Sequence, residues 1–408
     1  MKCGLLGWKL GHSYSPQIHA MLGSYCYELF EKEPQELEAF LKEGDFRAIN
    51  VTIPYKKDVI PHLDEMTPVA QKMGAVNTIV RRQDGTLLGH NTDYYGFSSL
   101  LARIGVCMEG KKVLVLGSGG ASQTVCAVLR EQNANVVVIS RSGEDNYGNL
   151  SRHQDAAMIV NTTPVGMYPH TGVSPLDLGV FSRLESVLDV VYNPARTKLL
   201  LDAQARGIPC ENGLWMLVAQ AKEAAEYFTD NPISDGWISK IHSMLRSQME
   251  NIVLIGMPGC GKSSIGNLLA EKTGKKFVDA DAEIIKAAGM PIPEIFAQWG
   301  EAGFRSIETK VLEDLGKQSG CIIATGGGCV TKPENLPLLR QNGTLFWLKR
   351  DISLLPTDGR PLSQKNDLQQ MYAIRKPMYA SFADYRIEND GSPEETVCKI
   401  LSLWEAGR

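Results

Sequence analysis

Histidine is absent from the second part of the chain: all seven lie at or before His242, in a sequence of 408 residues. A group that draws a proton from a nucleophile in residues 243–408 must therefore be a carboxylate or a lysine. Paired cysteines are also missing. The nine cysteines are scattered, odd in number and nowhere spaced as C-x-x-C, which argues against a disulfide framework and for a reducing compartment. No apolar run approaches the roughly 18 residues that a membrane-spanning helix needs. Residues 1–12 hold no cationic stretch leading into a long apolar one, so a cytoplasmic location is expected. A net charge of −4 gives no general electrostatic reason to bind nucleic acid or an anionic membrane. What remains is ordinary globular composition, 43% hydrophobic and 22% charged. The length exceeds what one core sustains, so two or three domains are expected.

The most informative stretch is NIVLIGMPGCGKSSIG, residues 251–266. A short β-branched strand ends at Gly256, and Ile265, Leu268 and Leu269 then recur at helical spacing. Between them stands G-x-x-x-x-G-K-S, from Gly256 to Ser263. Successive N–H groups at a helix N-terminus form an anion cradle, here Gly259, Cys260, Gly261, Lys262, Ser263 and Ser264. Lys262 reaches the β- and γ-phosphates of a nucleotide in such a loop, and the Ser263 hydroxyl ligates Mg²⁺. This predicts nucleotide-dependent phosphotransfer. FVDADAEI (277–284) reads as a second strand with Asp279 and Asp281 on one face. One acid, Asp279, is expected to support Mg²⁺ and the other, Asp281, to accept the proton of an attacking hydroxyl. IPEIFAQWGEAGFRSIE (292–308) reads as a helix with Glu301, Arg305 and Glu308 on one side.

Upstream, KCGLLG (2–7) reads as a buried strand leading through GWKLGHSYSP to a helix with Ser15 as N-cap and Pro16 at N1. The hydroxyls of Ser13 and Ser15 at a helix N-terminus suit a small carboxylate; taken alone, Ser15 is the better cap. A helix (36–43), the strand AINVTIP (48–54) and the runs GAVNTI (74–79) and GHNTD (89–93) follow. Lys56 and Asp93 each lie just past a strand-like run, where ligands collect in open α/β sheets. A lysine held near a carboxylate can pass a proton to the oxyanion formed from a ketone; on spacing alone both remain surface charges. KKVLVLGSGGAS (111–122) is a strand entering a glycine-rich turn, Gly117, Ser118, Gly119, Gly120 and Ala121, with NVVVIS (135–140) at βαβ distance. Ser140, Arg141 and Ser142 stand where an NAD site usually places an acid, so Arg141 favours the 2′-phosphate of NADP. NGLWMLVAQAKEAAEYF (212–228) is an amphipathic helix, on which Met216 reads as core and Gln220 as a polar-face residue.

HSYSP, NVTIPYK, GAVNT and GHNTD, in this order, resemble the shikimate dehydrogenase family. The resemblance implies that Ser13 and Ser15 hold a substrate carboxylate and that Asn50, Thr52, Asn77, Tyr192 and Gln220 contact substrate. It implies that Lys56 and Asp93 are the proton-transfer pair at ring carbon 3 of 3-dehydroshikimate, with Gly213 and Met216 near the nicotinamide. The family usually reads Asn-Arg-Thr at 140–142 and often Arg at Gln123; here Glu144 and Asp145 follow Arg141. The segment from Arg141 to Asn161 is short for the family, so a trimmed or missing crossover helix is expected.

The phosphate loop, the D-x-D run, G-E-x-x-F-R-x-x-E, GGG at 326–328 and R-P-L at 360–362 are similar to shikimate kinase across 250–400. This implies that Arg305, Arg375, Gly327, Gly328 and Asp281 bind shikimate and that Arg360, in a short lid (353–367), reaches the transferring phosphoryl group. An adenine-stacking arginine before the lid is not evident.

The expected architecture is α/β throughout. A substrate domain (1–98 plus 213–247) and a Rossmann NAD(P) domain (99–212) make the dehydrogenase, and a P-loop domain like the nucleoside monophosphate kinases (248–408) follows. The ligands expected are 3-dehydroshikimate, shikimate, NADPH, ATP and Mg²⁺, with oligomeric state left open. Two other readings are a quinate/shikimate dehydrogenase that uses NAD, fused to a kinase, and a regulator built from such modules after loss of catalysis. The regulator would have degraded sites, whereas Lys56, Asp93, Lys262, Ser263, Asp281, Arg305 and Arg360 all stand in place.

Overall fold

The structure, a computed structural model, describes residues 1–11, 13–355 and 368–407. It divides into two compact units, one of Met1–Val165, Ser174–Tyr192 and Asp202–Met244, the other of Gly166–Val173, Asn193–Leu201 and Leu245–Arg408. The second unit thus takes in two pieces of the span 99–212 that the sequence assigns wholly to the dinucleotide domain. The reason is local hydrogen bonding: the Arg196 N–H donates to Gln341 O at 2.8 Å and the Ala195 N–H to Asn342 Oδ1 at 2.8 Å.

The first unit contains two sheets. One has the order β2-β1-β3-β5-β6-β4, from β1 (Lys2–Gly7), β2 (Cys26–Glu31), β3 (Ala48–Val51), β4 (Glu65–Met66), β5 (Thr78–Arg81) and β6 (Leu87–His90). β5 runs antiparallel to both neighbours, so its N-terminal end meets the C-terminal ends of β3 and β6 at one edge. The other sheet is wholly parallel, β11-β10-β9-β7-β8, from β7 (Lys112–Leu116), β8 (Asn135–Ile139), β9 (Met158–Asn161), β10 (Ser186–Asp189) and β11 (Cys210–Glu211). β7 and β9 connect outward in opposite directions, which opens a crevice beyond their carboxyl ends.

The helix Leu214–Thr229 returns to the first sheet, placing Ala224 and Phe228 in a cluster with Cys3, Ala48 and Val80. Among the described residues, the crossover from β8 to β9 carries only a 3₁₀ turn, Leu150–His153, in place of an α-helix. Three boundaries differ from the sequence expectation. β3 stops at Val51 rather than residue 54, because Ile53 to Val59 form turns. β2 was not foreseen, its half-exposed edge position leaving little apolar run to read. The helix after Ser13 has Tyr14 as its N-cap with no side-chain cap, so Ser15 and Pro16 sit one position further in than expected; the Ser13 Oγ instead accepts from the Ser15 N–H at 3.2 Å.

The second unit is built on one parallel sheet, β13-β14-β12-β15-β16, from β12 (Asn251–Ile255), β13 (Lys276–Asp279), β14 (Cys321–Ala324), β15 (Gly343–Lys349) and β16 (Tyr385–Glu388). β12 is buried along its whole length, as a central parallel strand covered on both faces must be. Here too the connections from β12 and β14 diverge, and the phosphate loop and the three glycines 326–328 face the crevice between them. Asp281 does not lie on the strand. Asp279 ends β13 and caps the helix Ala280–Ala288, its Oδ1 accepting from the Asp281 N–H at 3.0 Å, which puts Asp281 in the first helical turn. The helix Ile292–Lys317 is broken at Gly300 (φ 67°, ψ −173°), a conformation essentially restricted to glycine.

Gly316, buried near the end of that helix, has Leu338 O where a Cβ would come within 1.9 Å. Helix propensity alone favours alanine there by about 1 kcal/mol, but contact with a backbone oxygen cannot be relieved by a rotamer change. Gly316→Ala is therefore expected to destabilise the second unit by about 1–3 kcal/mol, read as a lower urea midpoint for loss of its structure. An unchanged or higher midpoint would contradict the packing.

Candidate active sites

In the first unit, the loops after β1, β3 and β6 and the start of β5 converge. Lys56 Nζ lies 2.6 Å from Asp93 Oδ2, both side chains partly open to solvent. Asp93 opens the helix Asp93–Ile104. Lys56 is fixed through its main chain, its carbonyl accepting from the Val76 N–H at 2.8 Å.

A buried amide and hydroxyl network supports this pair. Asn77 Oδ1 accepts from the Thr92 N–H at 2.7 Å, and Asn77 Nδ2 donates to Thr92 Oγ1 at 3.0 Å. Thr92 Oγ1 reaches Gln220 Oε1 at 3.4 Å. Asn50 Nδ2 donates to Thr78 Oγ1 at 3.1 Å, while its Oδ1 accepts from the Tyr27 phenol at 2.7 Å. Ser15 hydrogen-bonds the same phenol, which burial holds well above its ordinary pKa. Thr52 is anchored by its N–H on Leu6 O at 2.9 Å. Tyr192 packs edge-on to Tyr14, with ring centroids 6.2 Å apart. The structure thus gathers Asn50, Lys56, Asn77, Asp93 and Gln220 by direct bonds or one intermediary. Tyr27, Thr78 and Thr92 are additions that sequence reading missed; the alternating pattern of CYELFE (26–31) was the available signal for Tyr27.

On the parallel sheet, Gly117 has φ +103°, and a Cβ there would meet Thr163 and Thr162 at 2.9 and 3.0 Å. Ser118, Gly119 and Gly120 are exposed, Ala121 is half-buried, and a Cβ on either Gly119 or Gly120 would touch nothing. That open backbone at the start of the helix Gly120–Glu131 fits a dinucleotide pyrophosphate. Ser140, Arg141 and Ser142 follow β8, with Arg141 and Ser142 exposed. Asp145 is turned to His153 (Oδ1 to Nε2, 2.8 Å). Gly213 lies against Val190, and its N–H donates to Val191 O at 3.1 Å; Met216 packs on the core beneath this sheet.

In the second unit, a cavity of about 470 Å³ is lined by Gly259, Gly261, Lys262, Ser263, Ser264, Asp279, Asp281, Arg305, Gly327, Gly328 and Arg375. Cys260 is the exception among the loop residues: its side chain is fully buried, and its carbonyl accepts from Asn389 Nδ2 at 2.7 Å. Arg360 lies outside the described residues. Lys262 Nζ donates to Gly256 O and Met257 O at 2.9 and 3.0 Å. Ser263 Oγ donates to Asp279 Oδ2 at 2.7 Å, and this hydroxyl and carboxylate are hard oxygen donors of the kind Mg²⁺ takes. Arg305 is buried between Glu308 (2.7 Å) and Glu301 (3.3 Å). Burial pulls the Arg305 guanidinium down, but the two acids outweigh it and hold it above its ordinary value. A Cβ on Gly328 would fall 2.0 Å from the Arg305 guanidinium, so only glycine leaves that cation room. Gly327 O accepts from Arg375 Nη1 at 3.1 Å and from the Tyr379 phenol, which also touches Met257 Sδ at 3.8 Å. Glu308, Tyr379 and Arg350 are lining or supporting residues that were absent from the expected site.

The sequence profile described as shikimate dehydrogenase substrate binding domain matches residues 5–79, and that of shikimate kinase matches residues 258–405. The shikimate dehydrogenase (NADP(+)) of Clostridium perfringens strain SM101 is 36% identical over 265 residues, 60% of this chain and 97% of that protein. The crystal structure of a chorismate mutase/shikimate 5-dehydrogenase fusion protein from Clostridium acetobutylicum aligns with a TM-score of 0.57 at 36% identity, covering 60% of this chain and 96% of that one. Shikimate 5-dehydrogenase from Thermus thermophilus, solved with NADP(H) and shikimate, aligns with a TM-score of 0.54 at 31% identity, covering 60% and 99%.

His90, three residues before Asp93, is buried, and neither ring nitrogen has a partner among the described residues. Burial, aided by Arg82, pushes its imidazole down to about 4 from an ordinary 6.5. The unfolded chain therefore binds more protons than the folded one between these values. The stability His90 permits is fully present above pH 6.5 and is lost as pH falls toward 4. At pH 5 the loss is about 2 kcal/mol. His90→Phe, which keeps the ring against Tyr227, is expected to flatten the decline of the first unit's urea midpoint between pH 7 and 5. An unaltered decline would refute this.

Proposed function

The chain is a member of the shikimate dehydrogenase family that carries a shikimate kinase domain at its C-terminal end, and from that premise we propose that it makes shikimate 3-phosphate in two steps. It reduces 3-dehydroshikimate to shikimate with NADPH, then phosphorylates shikimate with ATP. The observation that carries the reading is the Lys56–Asp93 pair at 2.6 Å in one unit of a chain whose other unit joins a phosphate loop and three arginines in one cavity.

In the reductive step, Ser13 and Ser15 hold the substrate carboxylate, and Asn50, Thr52, Asn77, Tyr192 and Gln220 frame the ring. NADPH, when bound, would supply the hydride for ring carbon 3. The Lys56 ammonium gives its proton to the carbonyl oxygen there, forming the hydroxyl. Asp93 holds Lys56 in place at 2.6 Å, and proton transfer from a group so positioned is worth roughly 10²–10⁴-fold in rate. The backbone from Gly117 to Ala121 meets the pyrophosphate, and Gly213 and Met216 border the nicotinamide. Arg141, with Ser140 and Ser142, selects the 2′-phosphate of NADP over the NAD hydroxyl. The turn of Asp145 toward His153 supports this, since it takes one of the two acids that follow Arg141 away from ribose recognition.

In the second step, Arg305 and Arg375 bind the shikimate carboxylate, a task for which planar guanidinium forks are suited. Gly327 and Gly328 bring backbone against the ring. Asp281 takes the proton of the 3-hydroxyl as its oxygen attacks the γ-phosphorus and the bond to the departing ADP breaks. Gly259 to Ser264 cradle the phosphates, and Lys262 and Arg360 neutralise the charge on the transferring group. Ser263 and Asp279 would hold Mg²⁺, which neutralises phosphate charge when bound. The chain works in the cytoplasm on this reading; among the described residues no helix is long and apolar enough to cross a membrane.

Mass spectrometry of products formed from 3-dehydroshikimate with NADPH, ATP and Mg²⁺ tests the proposal. Shikimate 3-phosphate is expected in the full mixture and shikimate alone when ATP is withheld. Lys56→Ala is expected to slow reduction by about 10²–10⁴-fold and leave phosphorylation of added shikimate intact. Absence of turnover in both assays would overturn the reading, and equal rates with NADH would overturn the role given to Arg141.

A further inference from the structure

We propose that Arg350 is a nucleotide-binding residue of the second unit, holding the polyphosphate of the nucleotide from the side of the cavity opposite the acid-binding arginine Arg305. This rests on the kinase reading above and assigns a residue that neither the phosphate loop nor the R-P-L segment contains.

Three observations carry it. The first is placement. Arg350 follows β15, which flanks the phosphate-loop strand β12 in parallel register, Ile255 opposite Trp347. The Leu348 carbonyl is close enough to Gly256 that a Cβ there would come within 2.5 Å of it. The Arg350 side chain lines the same cavity as Lys262 and Ser263. Arg305 and Gly326 to Gly328 approach from the β13 and β14 side of β12, so Arg350 enters from the other side, over the phosphate loop.

The second observation is an unsatisfied donor. Arg350 Nε is shielded from water and has no hydrogen-bond partner among the described residues. Buried donors are rarely left unpaired, because the desolvation cost is not recovered. Arg305 Nε is unpartnered in the same way, but the Arg305 guanidinium is tied to Glu301 and Glu308, so Arg350 is the one of the two with no acid to hold it back from a ligand among the described residues.

The third is charge. The two residues next to Arg350 are committed elsewhere. Lys349 pairs with Glu388 at 3.1 Å, and Asp351 Oδ1 accepts from both the N–H and the hydroxyl of Ser353, at 2.8 and 2.7 Å. Arg305, by contrast, is already balanced by Glu301 and Glu308. The cavity thus offers Arg350 and Lys262 as cations toward the phosphate loop, and the chemistry they match is a chain of phosphates.

The test uses the full chain and the variants R350A and R350K. Binding of MgADP and of adenosine is measured by calorimetry, alongside KM for ATP and for shikimate and the rate of 3-dehydroshikimate reduction as a check on folding. R350A is expected to lose about 10- to 100-fold in MgADP affinity, the range for hydrogen bonds to charged groups. Adenosine affinity, shikimate KM and reduction should stay unchanged, and R350K should recover part of the loss. Unchanged MgADP affinity would overturn the proposal. So would an equal loss for adenosine, which puts the guanidinium on the base, or a rise confined to shikimate KM, which puts it on the acid. A wild-type chain that binds MgADP and still fails to phosphorylate shikimate would remove the kinase reading alone, since the comparison of MgADP with adenosine still decides the role of Arg350.

Discussion

Anion binding by the main chain, at places where parallel strands end, is the interaction on which both units depend. A parallel sheet aims the carboxyl ends of its strands and the N-termini of the following helices at one edge. Where two adjacent strands connect outward in opposite directions, those N–H groups border a crevice instead of a packed surface. β7 and β9 make such a point in the first unit, and β12 and β14 make one in the second. Glycine is required wherever backbone must come close: Gly117 presses on Thr162 and Thr163, and Gly328 lies against the Arg305 guanidinium. The charged side chains are secondary to this frame, since each is delivered by a turn that the strand ends have already positioned.

The two units handle buried charge differently. Lys56 and Asp93 remain partly open to water, so their pairing carries a modest desolvation cost and leaves the lysine proton exchangeable. Arg305 and Glu308 are almost fully enclosed, and burial raises the Glu308 carboxyl against the pull of Arg305. A buried pair of this kind is held by geometry more than by net stabilisation. It suits a cation that must keep one orientation.

Much of this was legible in the sequence, for physical reasons that can be named. β12 and its loop were readable because a central parallel strand is apolar along its whole length and its turn needs glycine. β7 was readable on the same ground, and β8, at the sheet edge, by its run of valines. What escaped was governed by neighbours. Asp281 looked like a strand residue by spacing, but the Asp279 side chain caps a helix that opens at Ala280, inside the run read as strand. The break at Gly300 is invisible to helical periodicity, since the apolar positions keep their spacing across it. Ser15 was the better cap by residue type, yet Tyr14 holds that position and Ser13 supplies the accepting oxygen. Tyr27 and Arg350 sit on or beside strands, and only the pairing of those strands brings them to a site. The lid with Arg360 lies outside the described residues.

Tyr379 ties the two faces of the second cavity together. Its phenol donates to Gly327 O and touches Met257 Sδ, while Met257 O receives the Lys262 ammonium. One rigid aromatic side chain therefore gauges the distance between the loop facing the phosphates and the loop facing the acid. Both contacts start from one ring on the helix Leu368–Phe382, so the two loops share a single anchor and their spacing is set by the length of one side chain.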